Sequence, residues 1–171
     1  RRQRQMCIRD SMRSMKNQNY DGIDRLTGLY NGEYALKEIQ AYMEQNPECT
    51  AAVYIMDIDN FRTVDETLGR LFGNEIMKEI AAAICQVFGK QAVIGRIGGD
   101  KFLIFEKNYE SVGRIRENAK ELCHRARSTF KGEDQNFVIS LSIGIAIMPD
   151  DGYEWKQLAQ HATPVSYTHL T

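Results

Sequence analysis

The sequence predicts one mixed α/β (α+β) domain in which strands and helices alternate. Short apolar runs of strand length are separated by longer segments whose apolar residues recur every three to four positions. The 171 residues are 43% hydrophobic and 26% charged, which is the composition of a globular domain with its own core. The pattern runs from Asp24 to His161 without an internal repeat or low-complexity stretch. One domain is therefore expected.

The two ends of the chain depart from this pattern. Residues 1–16 carry six cations and one anion, a net of +5, so the other 155 residues sum to −6 in a chain of net charge −1. Neither 1–16 nor 163–171 has apolar periodicity, and both resemble translated vector sequence, with a frayed native linker as the alternative. We expect the domain at 17–162. A nucleic-acid surface would have to lie in the leader alone, so no nucleic-acid partner is expected.

The first half of the domain contains a predicted helix and a predicted buried strand. Asn31 is suited to cap a helix through Gln45, after which Asn46-Pro47 ends it. Residues 51–56 (AAVYIM) are unbroken apolar, which predicts a strand covered on both faces and ending at Asp57-Ile58-Asp59.

The central part predicts a helix followed by a hairpin. Apolar residues every fourth position predict a helix over 71–88, with Gly89 placed to end it. Residues 92–97 and 102–105 are predicted to be two strands joined by the tight turn Gly98-Gly99-Asp100-Lys101.

The last part predicts helix, strand and helix. A helical pattern covers 109–130, and 137–147 alternates as a strand that is interrupted at Gly144, where a bulge or a close backbone approach is expected. A final helix follows Asp151-Gly152 and ends near Ala162.

Cysteine and apolar patterns indicate the compartment. The four cysteines form no C-x-x-C pair and do not cluster with the three histidines, so neither a disulfide framework nor a zinc site is expected. This favours a reducing, cytoplasmic setting. No run approaches the roughly 18 apolar residues that span a bilayer, so no membrane segment is expected in this fragment, although a longer parent protein would be free to carry an anchor.

Acidic residues stand at two predicted strand ends. Asp57 and Asp59 follow the first apolar strand, and Asp100 lies in the hairpin turn. If the hairpin pairs beside that strand, these carboxylates form an oxygen-rich pocket suited to Mg²⁺. Gly98 and Gly99 would let backbone N–H groups approach a phosphate closely. Taken separately, each feature has a simpler interpretation as a polar strand boundary or an ordinary turn.

Four motifs that occur in a fixed order favour a functional site over these simpler interpretations. They are DRLTGLYN at 24–31, DIDNFR at 57–62 with Gly69 and Gly73 behind it, RIGGDKF at 96–102, and SIGIA at 142–146 followed by Pro149, Asp151 and Gly152. In this order the motifs resemble the GGDEF family of diguanylate cyclase domains, with its D-x-L-T-G-L-x-N, D-I-D-x-F-K, R-x-G-G-D-E-F and S-I-G-I-A segments. The resemblance covers residue 24 to about 162.

The resemblance implies a five-stranded, mainly antiparallel sheet flanked by helices, similar to the palm of polymerases and nucleotide cyclases. Active relatives join two GTP molecules into cyclic di-GMP across a face-to-face pair of domains, with a divalent metal neutralising phosphate charge. Carried over by position, Asp57, the Ile58 carbonyl and Asp100 would hold Mg²⁺, and Gly98 and Gly99 would border the nucleotide.

Further positions carry over to the nucleotide. Phe61 and Arg62 would line the phosphate side. At the guanine-reading positions the family's Asn is replaced by Asp65 and its Asp by Asn74. Misplaced donors leave polar groups unpaired at about 1–3 kcal/mol each, although the exchange keeps part of the pattern if both residues share one base.

Lys101 replaces the fourth signature letter, Glu, at the position where catalysis is expected together with Asp100. Two unit charges 4 Å apart at an effective dielectric near 20 interact by about 4 kcal/mol, and a divalent ion doubles this. An inward ammonium would therefore cost several kcal/mol in metal affinity. Two other outcomes stay open, in which Lys101 donates directly to phosphate or extends into solvent and the site is lost.

The inhibitory-site motif and the last helix also depart from the family pattern. Gly89 and Ala92 hold the positions of the inhibitory R-x-x-D, so cyclic di-GMP is not expected to bind there. The late helix, which in relatives carries basic phosphate contacts, is cut at His161-Ala162.

The favoured interpretation is a degenerate GGDEF domain, catalytically weak or inactive, that acts as a nucleotide-sensing or dimerising module for a sensor or output domain outside the fragment. GTP or another nucleoside triphosphate would be its ligand, Mg²⁺ would be weakly bound or lost, and a homodimer is one candidate assembly. The alternatives are an active diguanylate cyclase and a ligand-free dimerisation scaffold.

Overall fold

A five-stranded sheet organises residues 22–129 and 138–164, which are the residues that the computed structural model describes. Its strands are β1 (Tyr30–Asn31), β2 (Ala51–Ile58), β3 (Ala92–Gly98), β4 (Lys101–Lys107) and β5 (Leu141–Met148). The strand order is β1-β3-β4-β2-β5, with β1 parallel to β3 and every other pairing antiparallel. The predicted five-stranded, mainly antiparallel sheet is confirmed. The predicted leader at 1–16, residue 137 and most of the predicted tail lie outside the described residues.

Helices flank the sheet on both faces. They are α1 (Gly32–Gln45), α2 (Phe61–Leu68), α3 (Arg70–Phe88), α4 (Val112–Thr129) and α5 (Trp155–Ala162). The predicted cap of α1 is confirmed, because the Asn31 side chain accepts a 2.9 Å hydrogen bond from the Tyr34 N–H. Gly89 ends α3 with a φ of +61°, a conformation that favours glycine.

The core consists of two apolar layers, one on each face of β2. Tyr54 belongs to the layer that contains Ile76 of α3 and Ile115 of α4. Val53 belongs to the opposite layer with Ile39 of α1. Successive residues of a strand point to opposite faces, so an unbroken apolar run is what a strand with two buried faces requires. The predicted coverage of this strand on both faces is confirmed.

Several elements differ from the sequence prediction: the helix predicted over 109–130 begins at Val112, the strand predicted over 137–147 begins at Leu141, and the two-residue strand β1 is not predicted. Strand β2 continues through Ile58, so Asp57 lies inside the strand and pairs with a neighbour on each side. Helix α2 is not predicted from the sequence, because its eight residues make only about two helical turns and include one buried residue, Val64. The short α2 ends at Gly69, whose φ of +88° separates it from α3.

Gly144 allows a close backbone approach and does not mark a bulge. The β2–β5 register runs without a shift from Ala51 opposite Met148 to Ile58 opposite Leu141. A Cβ at Gly144 would overlap the carbonyl oxygen of Ala162, at the end of α5. Of the two predicted alternatives, the close approach is therefore the correct one.

Two of the compositional expectations can be compared with the described residues. Among the described residues, Cys49, Cys85 and Cys123 form no disulfide. Among residues 22–129 and 138–164, no helix combines the length and the apolar character that crossing a membrane requires.

Candidate functional site

One end of the sheet brings together residues that are far apart in the sequence. Along a row across four neighbouring strands, Gly98 of β3 pairs with Lys101 of β4, Lys101 pairs with Asp57 of β2, and Asp57 pairs with Ser142 of β5. Asp100 lies in the turn above this row, and its carbonyl accepts a 3.2 Å hydrogen bond from the Ile58 N–H. The predicted site residues Asp57, Gly98, Asp100 and Lys101 thus form one cluster.

The Lys101 ammonium forms an ion pair with the Asp57 carboxylate. Residues directly opposite each other in an antiparallel pair project from the same face, so the register itself places these opposite charges together. The Lys101 side chain is 49% exposed and the Asp57 side chain 20% exposed, which leaves the pair open to a ligand. Of the three outcomes left open by the sequence, the ion pair with Asp57 is the arrangement of an inward ammonium and not that of a side chain extended away from the site, while donation to a phosphate stays a prediction.

The Asp100 carboxyl lies close enough to Asp57 for the two to influence each other. Burial, and secondly the negative charge of Asp57, raise the pKa of Asp100 above its ordinary value, while Lys101 opposes this shift. Two carboxyls in such proximity repel each other when both are ionised, and Lys101 provides the compensating charge.

The donor set does not fit a divalent metal. Asp57, which the family pattern assigns to the metal, already binds the Lys101 ammonium. Each oxygen of the Asp59 carboxylate accepts a 2.6 Å hydrogen bond from a serine hydroxyl, one from Ser140 and one from Ser142. Across the described ranges, no group of three or more His, Cys, Asp or Glu side chains is arranged to hold a metal ion. A divalent ion would have to displace an ammonium to reach Asp57.

Gly98 and Gly99 leave open space beside the turn. A Cβ added to either residue would meet no atom within 4 Å, and neither has a positive φ. Gly73 and Gly144 differ, because a side chain there would overlap Asp65 and Ala162 respectively. The fold therefore accounts for glycine at 73 and 144 but does not require it at 98 and 99, where the space is available to a ligand.

Arg96 ties the turn to the start of the domain. Its guanidinium donates to the Gly99 carbonyl at 3.0 and 2.7 Å and pairs with Asp24 at 3.1 Å. Asp24 also accepts from the N–H and hydroxyl of Thr27, at 2.9 and 2.6 Å. A register shift between Arg96 and Gly98 marks a bulge next to the turn. Sequence reasoning assigned no role to Arg96, although both partners lie in the recognised motifs.

The remaining predicted site residues lie along α2 and in the first two turns of α3. Asp65 of α2 lies against Gly73, the residue that precedes Asn74. Phe61 packs on the core and its ring tip also approaches Gly73. Arg62 is 91% exposed and pairs with Glu66 at 2.8 Å. The structure therefore brings Asp65 to the helical turn of Asn74, while the nucleotide-binding roles of all four residues stay predictions.

The five-stranded sheet, its flanking helices and the glycine turn next to Asp57 define a mixed α/β domain with its candidate site at one end of the sheet. The family described as diguanylate cyclase, GGDEF domain, matches residues 22–169. The chain belongs to the GGDEF domain family.

Similar proteins span several activities. The chain is 29% identical over 145 residues to the cyclic di-GMP phosphodiesterase PdeR of Escherichia coli, covering 85% of this chain and 22% of PdeR. It is 31% identical over 146 residues to the bifunctional diguanylate cyclase/cyclic di-GMP phosphodiesterase MucR of Pseudomonas aeruginosa, covering 84% of this chain and 21% of MucR. The chain thus spans about a fifth of the length of these relatives.

A solved structure supports the same fold. The GGDEF domain of DgcB from Caulobacter crescentus, in complex with c-di-GMP, superposes with a TM-score of 0.72 at 22% identity. The match covers 85% of this chain and 87% of the DgcB domain. At 22% identity this structural similarity establishes the fold only. The activity of this chain has to be inferred from its own residues.

Proposed function

We propose that this chain is a degenerate GGDEF domain that binds a nucleotide at the Gly98-Gly99 turn and serves as a regulatory module in cyclic di-GMP signalling, with little or no cyclase activity. The observation that carries the proposal is the ion pair between Lys101 and Asp57. In the family pattern these positions hold an anion and a metal ligand. The Lys101 ammonium is paired with Asp57, the position of a metal ligand in the family, and its positive charge repels a divalent metal ion. Phosphoryl chemistry in the family depends on that metal ion.

Nucleotide binding is supported by the turn itself. Gly98 and Gly99 border open space, and the ammonium of Lys101 stands beside it with its side chain half exposed. Backbone N–H groups and a lysine are a common pair of phosphate ligands. GTP is the first ligand to test because it is the substrate of active relatives. ATP is the second, because Asp65 and Asn74 stand where the family has Asn and Asp, and this exchange at the base-reading positions can change the base preference.

A regulatory role fits the size of the chain relative to its relatives. The chain covers 22% of PdeR and 21% of MucR. The proposed role is that nucleotide binding to this domain regulates a sensor or output domain elsewhere in the parent polypeptide. We propose a cytoplasmic location and, as the mode of signal transfer, pairing of two such domains.

The test separates three functions. Purified chain is incubated with GTP and Mg²⁺, and cyclic di-GMP is quantified by mass spectrometry, while GTP and ATP binding are measured by titration calorimetry. We expect nucleotide binding without accumulation of cyclic di-GMP. Steady turnover would overturn the proposal in favour of an active cyclase. Flat titrations with both nucleotides would overturn it in favour of a ligand-free scaffold.

A further inference from the structure

We infer that the Lys101 ammonium takes the place of a divalent cation, so that a nucleoside triphosphate binds at the glycine turn as the metal-free polyanion. The inference rests on the proposed function, because it concerns the same nucleotide site. It concerns a feature of this chain that departs from the family signature, in which an anion occupies position 101.

The formal charge at the strand end provides the first argument. Asp57, Asp100 and a Glu at position 101 would together carry −3, and a triphosphate approaching them would be repelled unless a cation accompanied it. Lys101 in place of Glu raises this charge by two, to −1. Two positive charges are what one Mg²⁺ ion would bring. Lys101 in place of Glu therefore changes the charge of the site by the same amount as one bound Mg²⁺ ion would.

The position of the ammonium provides the second argument. A lysine ammonium has three N–H donors, and Asp57 uses one side of it while the side chain stays 49% exposed. In the sheet Lys101 pairs with Asp57 on one side and with Gly98 on the other, and Gly98 borders open space. Asp57 thus holds the ammonium in the row of residues that also contains Gly98, and the donors that Asp57 does not use are available to a phosphate bound at the turn.

Two other cations near this strand end have carboxylate partners of their own. Arg96 donates to the Gly99 carbonyl and pairs with Asp24, and Arg62, on α2, pairs through one nitrogen with Glu66. Among the described residues, Lys101 is the cation that lies in the row of paired residues next to Gly98.

The direction of metal dependence follows from this arrangement. A divalent ion would compete with the ammonium for Asp57, and a metal-bound nucleotide would bring positive charge against Lys101. Free triphosphate carries more negative charge than its metal complex, so it should bind at least as tightly. This is the reverse of the metal dependence expected for the family signature.

The experiment is calorimetric titration of the full chain with GTP, once in EDTA and once in MgCl₂. We expect the wild-type affinity in EDTA to equal or exceed that in MgCl₂. Lys101→Glu should bind about 10- to 100-fold more weakly in EDTA, the range of one charge-assisted hydrogen bond, and should regain affinity with MgCl₂. Lys101→Arg keeps the charge and should retain metal-free binding. The matched control is Lys120→Glu, the same charge change at an exposed position of α4, which should leave both affinities unchanged.

The outcomes distinguish this inference from the proposed function. Wild-type binding that requires MgCl₂ would overturn the inference and leave the nucleotide site standing. Metal-free binding by Lys101→Glu that equals wild type would also overturn it. Absence of binding by both GTP and ATP in both buffers would overturn the proposed function together with the inference. Circular dichroism of each variant confirms folding, and Lys101→Arg tests the inference even if Lys101→Glu fails to fold.

Discussion

Arg96 and Asp24 are 72 residues apart in the sequence and form a 3.1 Å ion pair in which each side chain is only 19% exposed. The same guanidinium holds the Gly99 carbonyl, so a single side chain joins the start of the domain, the end of β3 and the glycine turn. Arginine is suited to this role because its planar fork presents several donors in fixed directions.

Replacing this arginine should loosen the turn. We expect Arg96→Gln to lower the free energy of unfolding by about 1.5–3 kcal/mol, the range for hydrogen bonds to charged groups. Urea denaturation measures the change. Arg114→Gln is the control, because its pair with Glu117 is exposed and should change stability by no more than about 0.5 kcal/mol. Equal effects of the two substitutions would contradict the role assigned to Arg96.

Tyr54 carries a hydrogen bond at the edge of the core. Its hydroxyl donates to Glu106 at 2.6 Å while its ring is fully buried, and burial followed by Glu106 raises the pKa of the hydroxyl. Tyr54→Phe should cost about 1–3 kcal/mol, because the Glu106 carboxylate loses a donor. A double-mutant cycle with Glu106→Ala, which removes the acceptor, measures the coupling. Additive effects would show that the bond contributes nothing.

Gly144 and Gly113 should respond in opposite directions to alanine. Gly144→Ala places a methyl group against the Ala162 carbonyl and should destabilise by about 1–3 kcal/mol as α5 is displaced. Gly113→Ala lies in α4, where an added Cβ finds ordinary contact, and should stabilise by up to about 1 kcal/mol. Thermal unfolding of both variants gives the comparison, and a tolerated Gly144→Ala would refute the close approach.

Substitution at Gly99 should separate binding from folding. Gly99→Val adds a side chain to open space, so stability should change by no more than about 0.5 kcal/mol. If a phosphate occupies that space, GTP affinity should fall by about tenfold or more, a loss of about 1.4 kcal/mol. Calorimetry and urea denaturation on the same sample provide both readings. Unchanged affinity would locate the nucleotide elsewhere.

Cys123 should react slowly at neutral pH. Burial raises the pKa of its thiol and Asp59 raises it further, whereas Arg127 lowers it. Because the thiolate is the nucleophile, alkylation should accelerate only as pH rises above the ordinary cysteine range. Arg127→Gln should raise the pKa again and slow alkylation at a given pH. Arg116→Gln removes one charge from the same helix and is the control. Peptide mass spectrometry of iodoacetamide-treated protein measures the rate at Cys123.

Local patterns predicted most of the fold. The apolar run at 51–56 predicted a doubly covered strand, and the glycine turn predicted the hairpin of β3 and β4, because both signals lie within a few adjacent residues. Helix α2 escaped prediction because its eight residues gain their helical conformation from packing on α3 and the core. The extension of β2 through Asp57 escaped it because pairing with β4 and β5, and not the polarity of Asp57, decides where the strand ends.

The sequence by itself determined the alternation of elements, the glycine turn, the four motifs and the presence of a lysine where the family has a glutamate, since each is a property of residue types and short spacings. Only the tertiary structure decided what that lysine does. The β2–β4 register sets Lys101 directly opposite Asp57, and the β2–β5 register sets Ser142 beside Asp57 while the serine hydroxyls hold Asp59. Register depends on long-range pairing between strands, which residue spacing along one strand does not encode.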